Sequence, residues 1–406
     1  MPGIKILNDP IYGFIMVPKG LILDLVDHPW FQRLRRIKQL GLGCYIYPGA
    51  VHSRFHHALG VFHLATQAIE ILRQKSHPVT REEAEAVTIA ALLHDVGHGP
   101  FSHVLEHSLV PLEHEKLTLW IMEALNEDLK GRLDLAIEIF KGNYHKSFLC
   151  KLVASQLDLD RMDYLNRDSF YSGVVEGTIG YHRLLTMMDV EEGKLVFEEK
   201  AGLSIENYLG ARRLMYWQVY MHKTSVSAEN MLQSLLARCK QLQLNRFASP
   251  ALEYFIALDR HLDWESQTEY LINQFQKIDD TDVEMFLKCC QYADDPMVSF
   301  LAKGLIQREF FKVEVLDKAI DEESLLKRKH MCIEQLGWHV DEANDLVQLN
   351  KIDFNAYEKG DQEIWIRTKK NEIVPASEIL SLQHLSNVES RYYLCYPKAT
   401  GLGKLS

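Results

Sequence analysis

The hydrophobic positions of this chain recur mostly at the spacing of amphipathic helices. Between residues 59 and 72, apolar side chains stand three and four positions apart, which predicts a long helix ending near residue 74. The same spacing predicts helices over residues 133–140, 146–157, 205–244, 264–275, 283–292, 296–306 and 322–336. Alternating segments predict strands around an Asn8-Asp9-Pro10 turn and over residues 309–315, 363–367 and 391–396.

These patterns divide the chain into three parts. Residues 1–245 combine a short hairpin with a long series of helices, residues 246–309 continue the helices, and residues 310–406 mix strands with a helix. A mixture of that kind is typical of a small α+β lobe. We therefore predict a mainly α fold with a small C-terminal α+β lobe, and we assign no chemistry to the lobe.

An apolar run over residues 87–93 leads directly into a cluster of polar side chains. His94, Asp95, His98 and His103 follow within ten positions, and the intervening glycines and proline break the helix and re-aim the later histidines. Neighbours on a helix point about 100° apart, so His94 and Asp95 share a partner only if it lies at the helix end. Imidazoles and a carboxylate suit a divalent cation of intermediate hardness. Solvated or core histidines around a turn are the alternative.

Two other segments carry polar side chains on one helical face. His57 stands in the first turn of the long predicted helix, where it is either a polar helix start or another metal ligand, and Arg54 shares its face. Asp160, Asp163 and Asp168 recur at a spacing that also places them on one face. A salt-bridged surface helix is the alternative, but the neighbouring residues are apolar, which favours a bound cation or ligand.

The predicted helix over 205–244 offers a further candidate surface. Arg212, Tyr216 and Tyr220 fall on one face, which suits a polyphosphate and a base. Aromatic core packing with solvated cations explains the same pattern equally well. The basic residues between 33 and 38 are open to the same two interpretations, because they form either a solvated face or a phosphate-binding surface.

Composition and charge narrow the class of protein. The 406 residues carry a net charge of -11, which disfavours non-specific binding to nucleic acid or to an anionic membrane. The 7 cysteines are scattered without a CxxC pair, as is usual for reduced thiols in the cytosol. The first residues do not resemble a signal peptide, and no run approaches the ~20 apolar residues of a membrane span. We therefore expect a cytoplasmic protein without a membrane partner.

Several motifs, read in chain order, resemble the HD-domain phosphohydrolases, and among these the deoxynucleoside triphosphate triphosphohydrolases. They cover roughly the first 225 residues and comprise segments 8–13, 31–41, 54–60, 94–103, 160–164 and 220–223. Related cyclic-dinucleotide phosphodiesterases carry a lysine where His98 stands here. The resemblance implies that residues 1–245 are the HD catalytic domain.

The resemblance also implies a role for each matching position. One divalent ion, among Mn, Fe, Mg, Co, Ni and Zn, would be bound by His57, His94, Asp95 and Asp160. Proton transfer at the scissile phosphate would fall to His98, His103 and His114. The triphosphate would contact Arg54, Arg161, Tyr164 and Arg212. Gln39 and Asp168 would read the sugar, and Tyr220 would lie beside the sugar or base. A regulatory nucleotide at a subunit interface would use Asp27, Gln32 and Arg35.

We therefore expect an enzyme that hydrolyses (deoxy)nucleoside triphosphates to nucleoside and tripolyphosphate. The alternatives are a nucleotidase or phosphodiesterase acting on another phosphate ester, and a nucleotide-sensing HD module without turnover. Three histidines beyond the metal ligands argue against the sensing module, because binding alone requires no proton donor. The resemblance, with apolar surface expected at the 45–47 turn and the 391–396 strand, also predicts a homo-oligomer, a dimer or larger.

Overall fold

The computed structural model describes residues 3–110, 112–258, 267–337, 346–360, 362–382 and 385–398, without the side chains of Ser102, His103 and His107. The predicted mainly α fold is confirmed. The helices of the first half are α1 (Leu21–Asp27), α2 (Pro29–Arg33), α3 (Arg54–Gln74), α4 (Arg81–Leu93), α5 (Ser102–Ser108), α6 (His114–Asp128), α7 (Asp134–Phe140), α8 (Ser147–Val153), α9 (Leu159–Ser172) and α10 (Tyr181–Met187). The later helices are α11 (Gly202–Met215), α12 (Lys223–Gln241), α13 (Pro250–Ala257), α14 (Thr268–Phe275), α15 (Asp280–Cys290), α16 (Pro296–Gln307), α17 (Glu322–Leu336) and α18 (Ala376–Ile379).

The strands form three small sheets. They are β1 (Ile4–Asp9), β2 (Gly13–Pro18), β3 (Met188–Glu191), β4 (Lys194–Glu198), β5 (Lys312–Leu316), β6 (Gln348–Phe354), β7 (Trp365–Arg367), β8 (Ile373–Pro375) and β9 (Glu389–Tyr396). The first sheet is the antiparallel β1–β2 hairpin, the second has the order β3-β4-β7-β8, and the third has the order β5-β9-β6. Because β9 is the central strand and its second half is buried, it does not offer the apolar surface expected for residues 391–396.

Helix α3 packs against both α4 and α9 at the centre of the first half. Two capping boxes fix where α3 and α4 begin, at Ser53 with His56 and at Thr80 with Glu83. After α4, a tight turn passes close to α6, and a Cβ on Gly97 would lie 2.3 Å from the Thr118 nitrogen. The packing therefore requires glycine at the turn that follows His94, and it delivers the polar residues of that turn beside α3 and α9.

The prediction of a single helix over residues 205–244 is wrong. A π-helical turn over Tyr216–Tyr220 separates α11 from α12, and the Met221 nitrogen donates to the Tyr216 carbonyl at 2.8 Å. The His222 side chain then caps α12 by accepting from the Thr224 nitrogen. Since a π-turn inserts an extra residue, it rotates α12 relative to the face expected from a continuous α-helical period. Residues 216–223 contain neither glycine nor proline, so the sequence carries no conventional break signal at the turn.

The C-terminal lobe shares a sheet with the first half of the chain. Strand β7 pairs parallel with β4, with Val196 opposite Trp365 and Phe197 opposite Ile366. The division of the chain at residues 245 and 309 stays a prediction. Of the predicted helices, the one over 146–157 is shorter, and the start of the one over 264–275 lies outside the described residues. Within the described ranges, no helix combines the length and the apolar character needed to cross a membrane.

Candidate active site

The ends of three packed helices bring together the four side chains predicted to bind a metal. The first turn of α3 supplies His57, the end of α4 supplies His94 and Asp95, and the first turn of α9 supplies Asp160. The His57 Nε2 atom lies 3.0 Å from Asp160 Oδ1 and 3.3 Å from His94 Nε2. Asp95 places Oδ1 3.3 Å from His94 Nε2 and Oδ2 3.7 Å from His57 Nε2.

His57, His94 and Asp160 form a group that could hold a divalent ion, and Asp95 stands in a neighbouring group with His98 and His114. Donor atoms that bind a common ion at about 2.1 Å lie roughly 3 Å apart when their directions are near right angles, close to the separations found here. The opposite ring nitrogens are occupied, because His57 Nδ1 lies 2.8 Å from Asp163 Oδ2 and His94 Nδ1 lies 2.8 Å from the Ala91 carbonyl. Hydrogen bonds of this kind fix the tautomer and direct the Nε2 lone pairs towards the shared centre.

A buried charge network supports the His57 ring from behind. Asp163 accepts from the Arg167 Nε at 2.9 Å, and the Arg167 Nη1 donates to Asp9 Oδ2 at 2.8 Å. All three side chains are buried, and Asp9 lies at the end of β1. On α3, a Cβ on Gly60 would lie 1.9 Å from Asp163 Oδ1, so glycine is required for α9 to approach this closely. The network thus connects the N-terminal hairpin to the candidate metal centre.

The electrostatics of the cluster favour a cation. Burial opposes protonation of His57, but hydrogen bonds to Asp160 and Asp163 outweigh it and raise the pKa of His57 to about 10. Burial also opposes ionisation of Asp160, yet hydrogen bonds with His57 and His94 hold its pKa well below the usual value. The carboxylates therefore attract positive charge to this centre, and protons compete with a metal ion for the same histidines.

Two of the histidines predicted to transfer protons stack beside the candidate metal centre. The rings of His98 and His114 lie 3.8 Å apart at 17°, and His98 Nε2 lies 3.3 Å from Asp95 Oδ1. Burial and the Arg54 charge lower the pKa of His98 well below its usual value. Burial also opposes protonation of His114, but Glu106 and Asp95 raise its pKa overall. A neutral imidazole and a more basic one therefore stand side by side.

The third predicted proton-transfer residue, His103, lies on α5. Its side chain falls outside the part of the chain that is described, and its role stays a prediction.

Two adjoining cavities form a cleft across the candidate metal centre. The cavity beside the cluster has a volume of about 380 Å³, and its lining includes His94, Asp95, His114, Asp160, Arg161 and Arg212. The second has a volume of about 460 Å³, and its lining includes Gln39, Arg54, Tyr164, Asp168, Arg212 and Tyr220. The structure therefore brings all of the predicted substrate-binding residues to one cleft, with Arg212 at the junction of its two parts.

Several polar atoms of the cleft remain available to a ligand. The Gln39 Oε1, Arg54 Nε and Arg161 Nε atoms are buried, and none makes a hydrogen bond to a described residue. By contrast, both oxygens of Asp168 are engaged, one 2.8 Å from His52 Nε2 and the other accepting from the Tyr220 hydroxyl at 2.9 Å. Buried polar atoms almost always have a hydrogen-bond partner, so the unpaired atoms of Gln39, Arg54 and Arg161 indicate a site for water or a polar ligand.

Other functional residues were not identified from the sequence. Asp163 was recognised only as sharing a face with Asp160, and its contacts to His57 and Arg167 were not predicted. The spacing of Asp163 and Arg167, four positions apart on α9, is the signal that points to this pair. The C-terminal lobe also reaches the cleft, where Arg212 Nη1 donates to the Ala356 carbonyl at 3.0 Å. No local sequence signal marks that contact.

The residues predicted to hold a regulatory nucleotide lie around α1 and α2, apart from the lining of the cleft. Asp27 is exposed, and its Oδ1 lies 3.1 Å from the Lys5 Nζ. Gln32 donates to the Val26 carbonyl and accepts from Arg35 Nε at 2.8 Å. None of these contacts involves the lining of the cleft, and the regulatory role of the three residues stays a prediction.

Comparisons with known proteins agree with this architecture. The chain matches the family model of the HD domain over residues 54–197 and that of an HD associated region over residues 179–250. A phosphohydrolase from Bacteroides thetaiotaomicron, known from its crystal structure, is similar with a TM-score of 0.93 and 47% identity over 97% of this chain and 100% of its own.

Curated relatives are similar in sequence as well. The uncharacterized protein YwfO of Bacillus subtilis (strain 168) is 33% identical over 315 residues, which are 76% of this chain and 71% of that protein. The deoxynucleoside triphosphate triphosphohydrolase SAMHD1 of Bos taurus is 30% identical over 321 residues. That match covers 68% of this chain and only 54% of the bovine protein.

Proposed function

Since this chain belongs to the HD-domain phosphohydrolase family, we propose that it is a metal-dependent enzyme that hydrolyses deoxynucleoside triphosphates to nucleoside and tripolyphosphate. The observation that carries the proposal is the cleft that joins the His and Asp cluster to arginines from three helices and to the Gln39, Asp168 and Tyr220 side chains. The name of the bovine relative adds support for this class of substrate.

Four side chains would hold the cofactor, which we propose to be one divalent ion. His57, His94, Asp95 and Asp160 offer two nitrogens and two carboxylates, a donor set that suits Mn, Fe, Co, Ni or Zn, with Mg also possible in solution. Bound there, such an ion supplies Lewis acidity and lowers the pKa of water. The buried Asp163, behind His57, keeps the ring in the orientation that ligation requires.

Arginines would bind the triphosphate along its length. Arg54 comes from α3, Arg161 from α9 and Arg212 from α11, so the three guanidinium groups approach the cleft from separate elements. Planar guanidinium groups match phosphate oxygens in a bidentate manner, and fixed positive charge stabilises the charge that develops in phosphoryl transfer. This distribution suits a whole triphosphate chain better than one terminal phosphate. Tyr164 would contribute its hydroxyl to the same chain.

The relative positions of these groups favour cleavage at the α-phosphate. The sugar would lie by Gln39, Asp168 and Tyr220, in the cavity that Arg54 also lines. Arg54 Nη1 donates to Asp95 Oδ2 at 2.6 Å, so this cavity adjoins the candidate metal centre, and the phosphate attached to the sugar would be the one nearest the proposed ion. Water attacks the α-phosphorus, the bond to the 5′-oxygen breaks, and that oxygen leaves as the nucleoside hydroxyl after accepting a proton.

We assign the proton donor to His114. Its pKa is raised above the ordinary value because Glu106 and Asp95 outweigh the effect of burial, so it is the better donor of the stacked pair. His98 is held neutral and would accept a hydrogen bond or orient the reacting phosphate. His103 remains a third candidate for the same step.

We also propose a cytoplasmic homo-oligomer with a regulatory nucleotide at Asp27, Gln32 and Arg35. Support for subunit contact comes from one face of the β1–β2 hairpin, where Ile6 and Met16 face each other across the strands and both are more than half exposed. Apolar side chains exposed next to one another mark contact surfaces. Light scattering with and without nucleotide tests the assembly, and a monomer under every condition would contradict it.

The experiment that tests the activity is a panel of substrates with separation of products. Purified protein is incubated with deoxynucleotides, ribonucleotides, monophosphates and cyclic dinucleotides, each with Mn²⁺ or Mg²⁺. We expect nucleoside and tripolyphosphate in equal amounts from deoxynucleoside triphosphates. The His94→Ala and Asp160→Ala double variant should lose both metal and activity. Turnover of only monophosphates or cyclic dinucleotides would contradict the proposal.

A further inference from the structure

A smaller cavity of about 120 Å³ opens from the substrate cleft. It shares Gln39, Arg54 and Tyr220 with the cleft, but none of the four proposed metal ligands lines it. Its other walls are largely apolar and include Leu42, Phe101 and Val219. A group attached to the sugar could therefore enter a mostly apolar space that none of the proposed metal ligands lines.

Helix α12 supplies two polar side chains to this cavity, and neither hydrogen-bonds or pairs with another described side chain. Ser225 and Glu229 lie one helical turn apart, and both line the cavity. Ser225 is 3% exposed, and its hydroxyl makes no hydrogen bond to any described residue. Glu229 is partly buried and forms no ion pair or hydrogen bond within the described ranges. Burial alone raises the pKa of the Glu229 carboxyl to about 7.

The nearby Gln39 adds a third unsatisfied polar atom, its buried Oε1. Buried polar groups without partners are unfavourable, and a cluster of them around one cavity indicates a polar ligand. Gly41 and Gly43 also line the cavity and leave space where side chains would otherwise stand. The backbone of Gly41 has φ +48, a conformation that favours glycine.

We infer that this cavity receives the base of the nucleotide and that Glu229 reads the hydrogen-bonding edge of the base. The inference rests on the proposed function, because the sugar position at Gln39 and Tyr220 directs the base into the cavity. Two neighbouring donors of a base would favour the ionised form of this carboxyl, which has only acceptors and offers two oxygens to such a pair. Among the four DNA bases, guanine presents such a pair, its N1–H and N2–H₂ groups. The geometry points to a preference for deoxyguanosine nucleotides.

The test compares Glu229→Gln with Glu253→Gln, an exposed glutamate on α13 that serves as the matched control. The glutamine keeps the shape but replaces one acceptor with a donor. The ratio of kcat/KM for dGTP to that for dTTP should fall about tenfold or more in Glu229→Gln and stay unchanged in the control, as expected for loss of a bidentate base contact. An unchanged ratio in Glu229→Gln would overturn the inference.

A second pair of variants uses the serines of the same helix. Ser225→Ala should also lower the preference for dGTP. Ser227→Ala should not, because the Ser227 hydroxyl donates to the Phe311 carbonyl and does not line the cavity. If Glu229→Gln failed to fold, Glu229→Asp would replace it, with a weakened preference for dGTP expected. Equal kcat/KM values for dTTP and dGTP in the Glu229→Asp variant would support the inference. A ratio of the two values identical to that of the wild type would contradict it.

Binding of nucleosides separates this inference from the proposed activity. Calorimetry with deoxyguanosine and thymidine requires no metal and no turnover. Tighter binding of deoxyguanosine to wild type, lost in Glu229→Gln, supports the base assignment even if no triphosphate is hydrolysed, in which case only the proposed function fails. Equal binding of both nucleosides to the wild type would overturn the base assignment, whatever the enzyme assays show.

Discussion

Replacing Asp163 with asparagine tests how the protein holds its candidate metal centre. The Asp163 carboxylate is fully buried and accepts from His57 Nδ1 at 2.8 Å and from Arg167 Nε at 2.9 Å. It contacts no predicted substrate-binding residue through a hydrogen bond among the described residues. The Asp163→Asn variant keeps the shape of the side chain but removes the charge that orients His57 and balances Arg167.

The substitution should have two effects. Burial opposes ionisation, but Arg167 and His57 lower the pKa of Asp163 to about 2. A lowering of this size corresponds to a few kcal/mol of folding stability, on the order of 2–3 kcal/mol. Because the folded pKa lies below the ordinary value, this contribution is present above about pH 4 and is lost as the pH falls towards 2. Loss of the partner that orients a ligating histidine should also weaken metal binding about 10- to 100-fold.

The assay pairs this variant with Asp189→Asn. Asp189 is also buried, and it likewise bridges a histidine, His77, and an arginine, Arg367, but at a distance from the cleft lining. Chelator competition measures metal affinity, and denaturant unfolding of metal-free protein at pH 7 measures stability. Both variants should lose stability, and only Asp163→Asn should lose metal affinity. Unchanged affinity in a folded Asp163→Asn protein would refute the proposed support of His57.

Three further predictions concern the metal, the proton and the phosphates. The pKa of metal-free His57 is raised to about 10, so metal binding at pH 7.5 should release about one proton, and the metal affinity should increase with pH. Calorimetry in buffers of different ionisation enthalpy measures the released protons, and no proton release would contradict this prediction. His114→Ala should keep metal and nucleotide but lower kcat about 10²-fold or more, measured in single-turnover reactions. Arg161→Met should raise the KM for the triphosphate and weaken inhibition by tripolyphosphate, because a phosphate contact is lost. An unchanged KM would contradict the assignment of Arg161 to the triphosphate.

Local periodicity was sufficient to predict the helical faces that meet at the cleft. Arg54 and His57 stand three positions apart, as do Asp160 and Asp163, and helical geometry alone places each pair on one face. The break after α4 was also readable, because glycines and a proline follow His94. These features depend on neighbours within one or two turns, so they can be read from the chain without knowledge of its tertiary structure.

Contacts between distant segments could not be read in the same way. The carboxylate of Asp9 reaches Arg167 across more than 150 positions, and the Ala356 carbonyl reaches Arg212 from the C-terminal lobe. Neither segment carries a local pattern that names its partner. The π-turn at 216–220 is also not visible in the sequence. Each flanking helix keeps its own hydrophobic spacing, so the pattern does not mark the extra residue between them.

Hydrolysis in ¹⁸O-water tests most directly whether water attacks the α-phosphorus and releases the nucleoside. Purified, metal-loaded protein is incubated with dGTP, and both products are separated and analysed by mass spectrometry. We expect one ¹⁸O atom in tripolyphosphate and none in deoxyguanosine. Deoxyguanosine monophosphate with pyrophosphate, or the diphosphate with inorganic phosphate, would contradict it, because cleavage would then occur further along the phosphate chain.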